Sequence, residues 1–150
     1  VLCCTSPGGD FASYPLHELL DLEPKERASR FIAVSDIRKD TAWQAMHPEE
    51  YAAIAENRIT RFSTLDDKAR QRHRKLMRAR AGMNTIARLP LITTPTLVAG
   101  GRHDGIAPSR NQDLLHSNIP DSRLQLFNGG HGFINEDPQA LAAITEFLTE

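Results

Sequence analysis

The chain has 150 residues, 40% hydrophobic and 25% charged, with a formal net charge of −1. That length suits one ordinary domain with enough chain to bury a core. Near-neutrality offers no global attraction to nucleic acid or an anionic membrane surface, and no apolar run approaches the roughly 20 residues needed to span a bilayer.

Val1-Leu-Cys-Cys-Thr5 reads as a buried strand and Ser6-Pro-Gly-Gly9 as its exit turn. A chain that opens inside a core strand reads as the continuation of something longer. Cys3 and Cys4 are the only cysteines. Neighbouring strand residues face opposite ways, so no disulfide between them is expected, and two thiols alone do not make a zinc site. Without an elbow's glycines around them, they read as small buried hydrophobes. Reduced thiols point to a cytoplasmic setting.

Residues 11–88 are helical in pattern. Pro15 opens a short helix with Leu16, Leu19 and Leu20 on one face; Pro24 opens a second with Ala28, Phe31 and Ile32 inward. Pro48 starts a third, with Glu49 and Glu50 at its positive end and Tyr51, Ile54, Ala55, Ile59 and Phe62 at helical spacing. Ser63 or Thr64 is expected to cap the next helix, which Gly82 ends. That helix carries Lys68, Arg70, Arg72, Arg74, Lys75, Arg78 and Arg80. With no Gly-rich loop and few aromatics, it reads as a solvated face over a buried stripe of Leu65, Ala69, Leu76 and Met83, not a nucleic-acid site.

Residues 89–150 alternate strand and helix. Thr94–Ala99 is a strand ending at Gly100 and Gly101; Pro108–Ile119 is a helix stopped by Pro120. Leu124–Phe127 is the next strand, broken by Gly129-Gly130. Pro138–Thr149 is an amphipathic helix with Leu141, Ile144, Phe147 and Leu148 on one side. This order implies parallel strands joined by right-handed crossovers, with ligand chemistry at their carboxyl ends.

Asp104 and His131 both fall at that edge. A histidine between glycines can turn sharply and approach another backbone, and imidazole, with an ordinary pKa of about 6.5, can take and return a proton. An acid fixed beyond a strand can orient the ring and stabilise its charged form. Asp and His each mark turns singly; together at adjacent strand ends they read as the acid and base of a triad. Among the other histidines, His17, His47, His73 and His116 lie in or at the start of helical segments, and His103 reads as a rim or surface residue.

Pro95-Thr-Leu-Val-Ala-Gly-Gly-Arg-His-Asp-Gly-Ile-Ala-Pro108 and Phe127-Asn-Gly-Gly-His-Gly-Phe133, followed by Glu136-Asp-Pro138, resemble the acid-bearing and histidine-bearing loops of α/β-hydrolase-fold enzymes. The flavour is that of 3-oxoadipate enol-lactonase, proline iminopeptidase and related small-molecule esterases. The resemblance implies an α/β fold: the C-terminal part of a doubly wound sheet with an all-helical cap insertion. It assigns residues 1–10 to a core strand and exit turn, 11–88 to the cap, and 89–150 to the C-terminal core. It implies hydrolysis of a small ester or lactone with Asp104 as triad acid and His131 as general base, and no cofactor or metal. Trp43, Met46 and Phe133 are expected substrate-binding residues.

The family's nucleophile elbow and oxyanion loop are absent from these residues. A Ser, Asp or Cys nucleophile is therefore expected upstream of Val1, on an N-terminal half of the same hydrolase, separate or cleaved, as the chain's partner. A homo-oligomer is left open. The alternatives are a non-catalytic ligand-binding relative, and an acyltransferase or haloperoxidase-type activity using the same triad.

Overall fold

The computed structural model describes residues 1–150. Three strands, β1 (Leu2–Cys3), β2 (Thr96–Gly101) and β3 (Ser122–Phe127), form a parallel sheet in the order β1-β2-β3. Leu2, Val98 and Leu124 stand abreast in register. Because successive strand residues point to opposite faces, the sheet builds two cores. Val98 joins Leu89, Leu115 and Ile119 on one face, under α5 (Ser109–Asn118). Leu97 and Ala99 join Phe127, Phe133 and Ala140 on the other, under α7 (Pro138–Thr149). Both glycines of the pair at 100–101 belong to β2 itself. α7 packs through Ala140, Ala143, Ile144 and Phe147; Leu141 and Leu148, expected inward, are exposed, because the sheet meets the narrower alanine side of the helix.

Between β1 and β2 lie four α-helices, α1 (Pro24–Ser35), α2 (Thr41–Met46), α3 (Pro48–Ser63) and α4 (Asp67–Ala81), flanked by 3-10 turns at Glu18–Asp21 and Ile86–Leu91. Pro24, Pro48 and Pro138 all occupy first-turn positions, where a missing N–H costs nothing. α1 packs on α3 through Ala28, Ile32 and Ala55. The helical segment leaves and rejoins the sheet domain at one place: Gly9 N–H donates to the Met83 carbonyl at 3.0 Å, and Thr85 N–H to the Pro7 carbonyl at 2.8 Å. Gly8 adopts φ +81° there, and an added Cβ would overlap the Met83 carbonyl.

The α4 expectations need correction. Asp66, not Ser63 or Thr64, caps it, accepting from Ala69 N–H at 2.6 Å. Leu76 is 63% exposed and Met83 also faces out, so the expected stripe is not the buried one. The face turned toward the other helices carries His73, Met77 and Arg80 at helical spacing. α2 falls within the stretch expected to be helical, and the short α6 (Phe133–Glu136) adds a turn of helix between the histidine loop and α7. No helix is long and apolar enough to cross a membrane.

Candidate active site

Asp104 follows β2 on a turn its own side chain stabilises. Its Oδ1 accepts from the N–H groups of Ile106 at 2.7 Å and Ala107 at 2.9 Å. Its Oδ2 accepts from His131 Nδ1 at 2.9 Å. The Asp104 side chain is fully buried and that of His131 is 35% exposed, so the acid is fixed and the ring reaches the open side. With the carboxylate as acceptor, Nδ1 carries the proton and Nε2 is left with a lone pair.

The histidine loop is held from three sides. His131 N–H donates to the Ser35 carbonyl at 2.6 Å, at the end of α1. Gly130 N–H donates to Glu136 Oε2 at 2.6 Å, and Asn128 N–H to Asp137 Oδ2 at 2.8 Å. Asp137 also caps α7 through Gln139 N–H; these two backbone hydrogen bonds hold its carboxyl below the ordinary range. The acid loop joins in, as His103 N–H donates to the Gly129 carbonyl at 2.9 Å.

Cys4, the residue just past β1, has φ +45°, a left-handed conformation uncommon outside glycine. That bend breaks the strand alternation, and both Cys3 and Cys4 contact the same core cluster. The Cys4 thiol donates to the His131 carbonyl at 3.4 Å. Its Sγ, an Asp104 oxygen and a His131 nitrogen lie within 4.8 Å of one another. Burial first, then the charge of Asp104 and a hydrogen bond to it, push the thiol pKa far up. A protonated thiol beside a carboxylate already taken by imidazole makes neither a nucleophile nor a free set of metal donors.

His131 opens onto a cavity of about 440 Å³ under α1, α3 and α4, with Leu19, Phe31, Ile59, Phe62 and Met77 in its walls. The expected pocket residues are elsewhere. Phe133 is fully buried in the sheet core, stacked on Phe127 at 5.3 Å, because α6 turns it under the histidine loop. Met46 is 71% exposed, at the end of α2. Trp43 stacks on His47 at 4.8 Å, outside the cavity wall. The walls instead include Arg27, Arg58, Arg61, His73 and Arg80. The helical spacing of His73, Met77 and Arg80 was the available signal for the last of these.

No protein-family model and no curated protein matches this sequence. Solved structures do. A hydrolase from Pseudomonas aeruginosa PA01 superposes with a TM-score of 0.72 at 20% identity, over 99% of this chain and 54% of its own. The enol-lactonase from Burkholderia xenovorans LB400 gives 0.70 at 19%, over 99% and 55%. This is the α/β-hydrolase fold. An α/β hydrolase enzyme from a Medee basin deep-sea metagenome library, MGS-M2, gives 0.67 at 20%, again over 99% and 55%. The chain spans about 55% of the length of such hydrolase-fold proteins and corresponds to their C-terminal half, with its small parallel sheet and helical segment.

Proposed function

We propose that this chain supplies the acid and general base of a hydrolase acting on a small ester, lactone or related substrate. The observation that carries this reading is the His131–Asp104 hydrogen bond of 2.9 Å, with the acid buried and the histidine on a cavity. A nucleophile beside Nε2 would pass its proton to that nitrogen. His131 would then protonate the leaving group, and a water deprotonated at the same nitrogen would release the product.

In this reading the nucleophile and oxyanion donors lie in residues preceding Val1, and residues 11–88 form a cap that roofs the pocket and excludes water. Supporting it, the hydrolase-fold proteins it resembles are nearly twice its length, and the Cys4 thiol is held protonated. The similarity to an enol-lactonase supports lactones among the substrates. Two unbridged cysteines support a cytoplasmic setting.

The test is turnover of p-nitrophenyl esters, lactones and haloalkanes by the protein together with its upstream residues. Hydrolysis that falls by about 10⁴- to 10⁶-fold in His131→Ala is expected. Ligand binding without any turnover would instead identify a non-catalytic binding protein.

A further inference from the structure

Four arginines, Arg27, Arg58, Arg61 and Arg80, line the cavity above His131, and no Asp or Glu does. The arginines that form ion pairs within the chain, Arg30, Arg38, Arg74 and Arg123, are not among its walls. Two of the unpaired ones are held by a crossed stacking arrangement. Arg27 of α1 lies 3.9 Å over the ring of Phe62 of α3, and Arg58 of α3 lies 4.1 Å over the ring of Phe31 of α1. Each arginine and the phenylalanine four residues on share one helix face, so the antiparallel pair builds two guanidinium platforms.

Stacking occupies the flat faces of a guanidinium and leaves its N–H edge for a ligand. Loss of water lowers the pKa of Arg27, Arg58 and Arg80. Glu23 reaches Arg27 and Asp104 reaches Arg80 through their charge, but neither forms an ion pair with it. Arginines gathered without an ion-pair partner around an apolar cavity, two of them with a flat face taken up by a ring, leave their N–H edges to meet an anion. The remaining walls are aliphatic and aromatic, which suits a carbon chain.

We propose that the cavity selects substrates carrying a carboxylate on an apolar chain, with Arg27 and Arg58 gripping the carboxylate while the scissile carbonyl lies at His131. This rests on the hydrolase reading for the reacting end only; the anion grip can be tested by binding alone. The carboxylate matches the planar fork of arginine, and each charge-assisted contact adds about tenfold or more to affinity.

The experiment compares p-nitrophenyl hemiadipate with p-nitrophenyl hexanoate on the protein with its upstream residues. A kcat/KM at least tenfold higher for the acid is expected, with that ratio collapsing in Arg58→Gln and in Arg27→Gln, and with thermal melts checking that each variant folds. Equal turnover of the two esters, or an unchanged ratio in both folded variants, overturns the proposal. If neither ester is hydrolysed, the hydrolase reading fails separately. Calorimetry with hexanoate against hexanamide then decides the grip: hexanoate binding that weakens in R58Q sustains it, and equal or absent binding of both overturns it.

Discussion

The backbone N–H of His131 and the carbonyl of Ser35 meet at 2.6 Å, so the last residue of α1 directly braces the loop that carries the candidate base. Asp36, the next residue, is buried against the same loop, and an added Cβ on Gly130 would lie 2.7 Å from its Cβ and closer still to the Ser35 carbonyl. The helical segment and the histidine loop are thus one packed unit, and in the proposed hydrolase reading substrate shape and proton transfer are coupled through it.

Gly130→Ala is expected to separate α1 from the histidine loop. Overpacking of this kind costs about 1–3 kcal/mol. Urea unfolding should show that loss, and hydrolysis should fall more than stability alone accounts for, because His131 moves with its neighbour.

Asp104→Asn keeps an oxygen for the Ile106 and Ala107 N–H groups but turns an amide N–H toward Nδ1. The ring would take the opposite tautomer, with its proton on Nε2. A fall of about 10³- to 10⁴-fold in kcat is expected, with KM little changed. Steady-state kinetics on an ester substrate checks it; a loss under tenfold would remove Asp104 from the relay.

Burial alone would raise the Asp36 carboxyl, but hydrogen bonds from the Arg38 side chain and N–H, with the charges of Arg38 and Lys39, hold it below its ordinary 3.8. A carboxyl lowered in the folded state stabilises fully above the unfolded value and progressively loses that contribution as pH falls through the folded one. Asp36→Asn should therefore cost about 2 kcal/mol at pH 7, from loss of charged hydrogen bonds. The difference from wild type should shrink below about pH 4. Urea titrations at pH 7 and pH 3 measure both.

Phe133→Ala should cost about 3–5 kcal/mol by opening a cavity among Leu97, Phe127 and Ala140. A wall residue of the substrate pocket would instead change KM with little effect on unfolding. Chemical denaturation alongside kinetics separates the two roles.

Cys4→Ala is expected to retain turnover within about threefold, since a thiol kept protonated by burial and by Asp104 cannot attack. Iodoacetamide labelling followed by mass should be slow at Cys4 up to pH 9. Abolished turnover in a folded Cys4→Ala would make the thiol a catalytic group after all.

The sheet and its helices were legible because each carries a local signal: the apolar run of β2, prolines 24, 48 and 138 at helix starts, and glycines at loop turns. Asp104 and His131 were legible for the same reason, as each stands beside glycines just past a strand. The inward surface of the helical segment was not. Leu76 looked buried and Arg80 looked solvated by hydropathy, yet Leu76 is exposed and Arg80 lines the cavity. Hydropathy records only the average tendency of a side chain, and a helix that turns its polar face onto a cavity reverses it.

By itself, then, the sequence determined the order of elements and put an acid and a histidine at the ends of two parallel strands, because propensity and turn chemistry are local. Only the tertiary structure decided that Nδ1 meets the carboxylate at 2.9 Å, that Phe133 belongs to the core, and that Arg27 and Arg58 cross onto each other's helices. Those outcomes depend on how separate segments pack, and contacts between residues far apart in the chain leave no period or motif along it.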